Sequence, residues 1–449
     1  MKNNDRQIPH YSSEMDDLFY DGVRYKSKTK TLTFQVTEDC TLRCSYCYQT
    51  IKRHNSMTFD VAKKAIDMLF DNEKGVADYF PIHDMPAIIL EFIGGEPLIE
   101  INLIDKILDY WVSTAITHKS VLAYRFMASF STNGTLYFSD DVQAFLKKWY
   151  RNTSMSFSID GNKELHDACR VFPDGSGSYD IAMKASADYR SRFGGYRSTK
   201  MTLCPENIVY TADAIINLIE NNFQNVAFNC VFEQGWTKDH AKILYSECKK
   251  IADYIVNHKV VFNTNFYSML CGHLHPISED NFCGGTGSML SVDWKGDFYP
   301  CIRYMENALN GQQEPYSIGN IYDGIANCER DCERCNLLNS ITRTSQSDEK
   351  CLNCPVQSSC GWCSAYNYQV FGTPNKRATF ICDMHKARVL ANAYYWNSLV
   401  IAGQWFEYYK IDLPKNDALQ YIDEDEWNML KDMEQKAKHI LDCFSVKRK

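Results

Sequence analysis

Cys40, Cys44 and Cys47 stand in the run Thr37-Glu38-Asp39-Cys40-Thr41-Leu42-Arg43-Cys44-Ser45-Tyr46-Cys47-Tyr48. A C-x3-C-x2-C spacing supplies three thiolates to a four-iron cluster, which takes four. The fourth iron is then left with an open position, where a small molecule can bind and react at a redox-active centre. The same spacing also suits half of a zinc site, or three buried and inert thiols. Context favours the cluster: Tyr46 and Tyr48 bracket the last cysteine, and Thr31-Leu32-Thr33-Phe34-Gln35-Val36 ahead of the triplet reads as a strand.

Further cysteines crowd the second half. Cys283 is followed by Gly296 and Cys301 in a stretch that reads as a hairpin with a glycine turn. Then come Cys351-x2-Cys354-Pro355-x4-Cys360-x2-Cys363 and, later, Cys382. Paired C-x2-C units are also a zinc-ribbon signal. Cys328-x3-Cys332-x2-Cys335 repeats the first spacing in what reads as a polar loop; a cluster ligand, a zinc site and free thiols all stay open for it. Cys169, Cys204, Cys230, Cys248 and Cys443 fit no ligand spacing and are expected to be core thiols. The total of 19 is odd and no export signal precedes it, which fits reduced thiols in a cytoplasm better than disulfides.

Other polar motifs fall where strands should end. Gly94-Gly95-Glu96-Pro97 offers close backbone approach and a carboxylate for a cation, or simply a tight turn. Ser131-Thr132-Asn133-Gly134-Thr135 is at least an Asn-Gly turn. Ser158-Ile159-Asp160-Gly161 is followed by His166, Asp167 and Arg170; for His166 and Asp167, helix-start capping is the expectation.

The elements that would position these residues alternate. Strand candidates are 31–37, 87–93, 124–131, 153–159, 199–204 and 225–231; helical stretches are 58–71, 100–116, 138–149, 178–192, 206–221 and 238–257. Six β-then-α units imply an α/β fold with a parallel sheet, open or closed. Active-site groups in such folds gather at the carboxyl ends of the strands, where each motif falls. The rhythm stops near residue 265, and helices return after Cys382. There Trp427, Leu430, Met433, Ala437, Ile440, Leu441 and Phe444 recur at helical spacing, as if to pack on the barrel.

Composition narrows the function. Hydrophobic residues make up 45% and charged residues 23%, with a net charge of -8, so a nucleic-acid partner is not expected. No apolar run of about 18 residues predicts a membrane span.

Taken together, the cysteine run, the Gly-Gly-Glu-Pro segment and the run Ser-Ile-Asp-Gly-x4-His-Asp-x2-Arg resemble the radical S-adenosylmethionine (SAM) enzymes, above all those that modify peptides. The resemblance extends over nearly the whole chain. It implies a partial (β/α)6 TIM-like barrel at 31–264 after an N-terminal extension at 1–30, a small cysteine-rich iron–sulfur domain at 265–382 and C-terminal helices at 383–449. In that family SAM chelates the open iron of a [4Fe-4S] cluster. The resemblance assigns Cys40, Cys44 and Cys47 to the iron, Tyr46 to a backbone contact with SAM, Gly95 and Glu96 to its amino group, and Ser158 and Arg170 to holding it.

The downstream pattern, C-x12-G-x4-C, a gap, then C-x2-C-x5-C and a last cysteine, is close to the SPASM domain, which carries two auxiliary four-iron clusters. One would use Cys283, Cys301 and Cys363, with Cys271 or a substrate thiolate as the fourth ligand. The other would use Cys351, Cys354, Cys360 and Cys382. The family usually has three residues between the cysteines that align with Cys360 and Cys363, whereas Gly361-Trp362 gives two here.

SPASM enzymes mostly modify peptides. Sulfatase maturases carry an aspartate directly after the cysteine equivalent to Cys301, where this chain has Ile302. The expected activity is therefore reductive SAM cleavage and hydrogen abstraction from a ribosomally made precursor peptide, installing a cysteine thioether; maturases of small cysteine-repeat peptides are the nearest likeness. Sulfatase-maturase-like oxidation of Cys or Ser, carbon–carbon crosslinking and epimerisation are alternatives. A zinc-rich scaffold is the non-enzyme alternative. Expected partners are a cysteine-containing precursor peptide and an external electron donor such as flavodoxin or ferredoxin. About 30 residues precede the first strand, so a separate recognition protein, or the barrel itself, would grip the leader. The expected location is the cytoplasm of an oxygen-poor cell.

Overall fold

The computed structural model describes residues 29–49, 52–194, 197–233, 235–260, 274–281 and 283–446. Six parallel strands lie side by side in chain order: β1 (Lys30–Gln35), β2 (Ile88–Ile93), β3 (Phe126–Thr132), β4 (Thr153–Phe157), β5 (Ser198–Leu203) and β6 (Asn225–Cys230). Each begins and ends within two residues of its expected position, β4 ending two short, at Phe157. At that point the sheet is thin, since β4 and β5 share one register pair, Phe157 with Thr199. The Thr199 hydroxyl bridges the gap: it faces the carbonyls of Phe157 (2.8 Å) and Ile159 (3.0 Å) and accepts from the Ile159 N–H (3.0 Å).

Helices Phe59–Phe70, Ile101–Thr117, Asp140–Trp149, Tyr179–Phe193, Thr211–Glu220 and Lys238–His258 follow the strands in turn. Their starts are locally encoded. Thr58 and Ser139 accept from the N–H groups of Val61 and Val142, and Thr237 forms a reciprocal capping box with His240.

The sheet does not close. Its order continues past β1 into β7 (Met289–Val292), β8 (Asp297–Tyr299), β9 (Gly319–Asn320) and β10 (Gly324–Ile325). β7 pairs with β1 in parallel, so the cysteine-rich region is hydrogen-bonded into the barrel sheet. The expected hairpin is β7–β8: Asp293 Oδ1 accepts from the N–H groups of Lys295, Gly296 and Asp297, and Gly296 takes the positive φ of +98°.

At the other end β6 is the edge strand among the described residues, met by helix Cys382–Ile401 through Arg388, and that helix also packs along helix Lys238–His258. The C-terminal helix Glu424–Val446 rests mainly on Cys382–Ile401 and reaches the barrel through Glu426, which accepts from Tyr245 Oη and Lys249 Nζ. Of its expected stripe, Leu430 and Ala437 are buried and Trp427, Met433, Ile440 and Leu441 half-buried; the Phe444 side chain lies outside those described. Among the described residues no helix is long and apolar enough to cross a membrane.

One expectation fails outright. Cys332 and Cys335 lie not in a polar loop but on helix Glu329–Ser340, with Cys328 at its N-cap. Charged Glu329, Arg330, Glu333 and Arg334 gave the segment its polar look, while Cys335 and Leu338 supply a narrow buried face.

The core is organised around aromatic rungs. Phe34, Phe92 and Phe130 occupy matched positions on β1, β2 and β3, with ring centroids 5.7 and 5.6 Å apart. Phe92 is fully buried, so Phe92→Ala is expected to lower stability by about 3–5 kcal/mol, and Phe92→Leu by much less. Denaturant unfolding under nitrogen measures this; equal midpoints for wild type and Phe92→Ala would remove the rung as a determinant.

Candidate functional site

The carboxyl ends of β1 to β4 converge on one rim, and the first cysteine run lies across it. β2 ends in Gly94-Gly95, and there the backbone meets the cysteine loop directly: Gly95 N–H donates to the Thr37 carbonyl (3.2 Å) and Glu96 N–H to that of Asp39 (2.8 Å). A Cβ on Gly95 would collide with the Asp39 carbonyl and sit 2.6 Å from Cys40 Cβ. The glycine is needed for that close approach.

Glu96 is occupied by groups of the chain itself. It is 1% exposed, and its carboxylate accepts from Thr132 Oγ1 (2.7 Å), Asn133 N–H (2.8 Å) and Leu98 N–H (3.1 Å). Burial pushes this carboxyl up to about 7, against the pull of those three donors. In this arrangement Glu96 locks the end of β2 to that of β3. The Asn-Gly turn after β3 then reaches back to the cysteines, with Asn133 Nδ2 3.0 Å from Thr41 Oγ1 and 3.8 Å from Cys40 Sγ.

The three thiols share one environment. Burial pushes Cys40 up to about 11, with help from Glu96 and Cys44. Burial also raises Cys44, which feels Cys47 and Asp160 on one side and Arg170 on the other. Lys52 Nζ donates to Cys47 Sγ (3.4 Å). Cys40 and Cys44, which burial makes poor at ionising alone, and Cys47 beside them, flanked by N–H donors, suit a positively charged soft group that would stabilise thiolates. The residues therefore fit a four-iron cluster. Among the described residues no three His, Cys, Asp or Glu side chains approach closely enough for a single metal ion. A cluster differs because its own atoms stand between the sulfurs.

Beyond β4 the rim is held by a carboxylate that motif reading passed over. Asp160 is fully buried. Arg170 forks onto it, Nε to Oδ2 at 2.7 Å and Nη2 to Oδ1 at 3.3 Å. Tyr46 Oη also donates to Oδ2, and Thr202 N–H donates to Oδ1 (3.3 Å). The carboxylate that Arg170 meets here is thus the chain's own. Tyr46, expected to act through its backbone, is tied by its hydroxyl, and the guanidinium lies 5.3 Å from its ring centre. Ser158 is half-buried at the end of β4, its N–H on the Thr132 carbonyl (2.8 Å). The available signal for Asp160 was an acid at a strand end with an arginine ten residues on.

His166 does not cap a helix start. Its Nδ1 accepts from Asp160 N–H (3.3 Å), which puts the proton on Nε2, facing Ser178 Oγ at 3.0 Å. Burial, then Arg170, lowers the imidazole to about 4, so it is a neutral strut under Asp160. Asp167 does serve a helix start, that of Tyr179–Phe193, by accepting from Tyr179 N–H (2.8 Å). Helix Lys163–Cys169 takes Asn162 as its cap.

The downstream cysteines form two groups. Cys301 is raised well above its ordinary value by burial and then by Cys363 and Cys283; Cys363, at the N-cap of helix Ser364–Phe371, is likewise raised by burial and by Cys283. The two-residue gap before Cys363 leaves it within this group. Cys360 is pushed to about 12 by burial, with Cys382, Cys354 and Cys351 all contributing. Cys271 lies outside the described residues. Between the first group and the rim stands Arg303, 4.9 Å from the Tyr48 ring centre, paired with Glu233 (3.2 Å) and felt by Cys363. Cys230 and Cys248 are core thiols as expected, Cys169 and Cys204 are half-buried, and Cys443 is exposed, 3.7 Å from His439 Nε2.

Two substitutions probe the rim. Gly95→Ala is expected to dislodge the Cys40 loop and sharply lower bound iron, whereas Gly175→Ala, at φ +85° with open space around it, should cost about 1 kcal/mol and leave iron unchanged. Asp160→Ala strands a buried guanidinium and is expected to cost about 3–5 kcal/mol, part of it recovered by adding Arg170→Met. Iron assay and unfolding midpoints read both; a double variant no better than Asp160→Ala would argue against the pair.

No family model matches the chain. It is 25% identical over 276 residues to an uncharacterized protein of Methanocaldococcus jannaschii, spanning 61% of this chain and 84% of that one. It is 20% identical to the radical SAM cyclopropyl synthase TigE of Paramaledivibacter caminithermalis, over 80% of this chain and 72% of that one. To the antilisterial bacteriocin subtilosin biosynthesis protein AlbA of Bacillus subtilis it is 24% identical, over 74% and 66%. Among solved structures, anSMEcpe with bound AdoMet and Kp18Cys peptide superposes with a TM-score of 0.60 at 17% identity, covering 84% of this chain and 100% of that one. In sequence the chain has a radical SAM enzyme among its relatives, and its fold is shared by a solved protein with bound AdoMet.

Proposed function

We propose that this protein is a radical SAM enzyme that modifies a ribosomally made precursor peptide, and that the modification is a crosslink formed by a cysteine thioether. The observation that carries the reading is the gathering of Cys40, Cys44 and Cys47 on a rim whose other groups, Gly95, Asn133, Asp160 and Arg170, pack directly around them. When bound there, a [4Fe-4S] cluster and SAM supply a carbon radical able to remove hydrogen from an unactivated carbon.

The chain's own residues supply position and electrostatics. Cys40, Cys44 and Cys47 hold the iron, and Asn133 and Lys52 direct N–H groups at Cys40 and Cys47. Gly95 keeps β2 close to the loop, while Ser158, Arg170 and the Tyr46 backbone line the side toward SAM. The Asp160–Arg170 pair fixes that side and keeps an ordered charge beside Cys44. Cys283, Cys301 and Cys363 hold one auxiliary cluster, with Cys271 or a peptide thiolate completing it. Cys351, Cys354, Cys360 and Cys382 hold the other. An external donor such as flavodoxin or ferredoxin supplies electrons, in the reduced cytoplasm of an oxygen-poor cell. Support for a peptide substrate comes from the relative named for bacteriocin biosynthesis and from the peptide present in the superposed structure.

Anaerobic co-expression with a cysteine-containing precursor peptide tests this. Each thioether is expected to lower the peptide mass by two hydrogens; an unchanged mass with deuterium uptake from solvent would mean epimerisation instead. Cys44→Ala is expected to abolish deoxyadenosine release from SAM. Cys351→Ala should lose about four irons per chain, one cluster, while leaving the first site loaded. Stoichiometric zinc without acid-labile sulfide in wild type would favour a scaffold.

A further inference from the structure

Helix Cys382–Ile401 lies against the edge strand β6, and a cavity of about 130 Å³ remains between them, at the carboxyl end of that strand. Cys230, Phe232, Met384, His385 and Arg388 are among its walls. Two of these are polar side chains only 2% exposed. Arg388 Nη2 donates to the Phe228 carbonyl (3.2 Å), blunting the strand edge, and lies 3.7 Å from Cys230 Sγ. Its Nε has no partner, and among the described residues no carboxylate pairs with it. No side chain is hydrogen-bonded to either ring nitrogen of His385, and the Gly361 backbone is its one polar neighbour besides Arg388 and Arg377. Burial and then Arg388 lower His385 to about 3, so it is a neutral ring that carries one N–H.

A buried guanidinium without a counter-charge is costly, and its open donors call for an acceptor. An Arg N–H beside an imidazole N–H matches the two oxygens of a carboxylate. Phe232, Ile381 and Met384 form apolar walls suited to a short alkyl stem. A larger polyanion finds no further cation among the lining residues.

We propose that this cavity is a carboxylate subsite, which receives an acidic side chain or terminal carboxylate of the peptide to be modified; this rests on the peptide-modifying reading above. Bound at the end of β6, such a group anchors the peptide on the same strand-end face as the Cys40 loop. A small free carboxylate offers the same chemistry, and the test separates the two sources.

The anaerobically reconstituted full chain is titrated with sodium acetate against sodium chloride of equal ionic strength, and with the peptide acetyl-Gly-Cys-Gly-Glu-amide against its Gln counterpart. Acetate is expected to raise the wild-type melting temperature where chloride does not. The Glu peptide should bind about tenfold tighter than the Gln peptide, the scale of one charge-assisted hydrogen bond. Both preferences should vanish in Arg388→Met and shrink in His385→Leu. Equal response of wild type to acetate and chloride, with equal binding of both peptides, would overturn the subsite, even if Arg388→Met does not fold. Acetate binding without a Glu preference would overturn the peptide as its source. Deoxyadenosine release from SAM is read in the same preparation. Release without carboxylate preference defeats the subsite alone, and absence of release defeats the enzymatic reading.

Discussion

One buried carboxylate holds the rim together. Asp160 follows β4, receives Arg170 from the end of the next helix, Tyr46 from the cysteine loop and Thr202 from β5, and has its own N–H seated on His166. Three separate stretches of chain are thereby fixed to a single residue with almost no access to water. Inside a protein such a pair is weak evidence for net stability, because desolvation offsets much of the attraction. Its value here is geometric. It sets where the Cys44 to Cys47 segment lies relative to β4, at the point where β4 and β5 share little else.

The second constraint is the pairing of β7 with β1. It places the hairpin carrying Cys301 next to the strand that delivers Cys40, so the two cysteine groups are related by sheet register and not by a linker. Side chains reinforce the join: Arg53 forks onto Glu306, and Arg303 stacks on Tyr48 while pairing with Glu233. With the β7 pairing before Cys301 and these contacts after it, rotation of one group against the other would break sheet hydrogen bonds and ion pairs together.

Much of this was legible in the chain because the signals are local. Strand and helix positions followed apolar periodicity and capping residues such as Thr58 and Ser139, and the cysteines announced themselves by spacing. What escaped was long-range. Nothing near Glu96 reveals that Thr132 and Asn133 occupy its oxygens. For Arg170 the one local hint of a partner within the chain was an acid ten residues earlier. The Cys328 segment read as a loop because its charged residues outnumber the buried apolar face made by Cys335 and Leu338. The role of helix Cys382–Ile401 was hidden for another reason. It is buried almost all round, so it carries no amphipathic stripe to say which surface it covers.

That helix begins at Cys382, whose thiol is grouped with Cys351, Cys354 and Cys360, and its middle seals the last strand of the sheet. The piece that finishes the sheet is therefore made late in translation, long after the six strands have left the ribosome. Until it arrives, β6 presents unsatisfied carbonyls to solvent. Oxidation of the four-thiol group would loosen the same helix from its starting residue. The barrel's open side and the distant cysteines are thus joined through one helix.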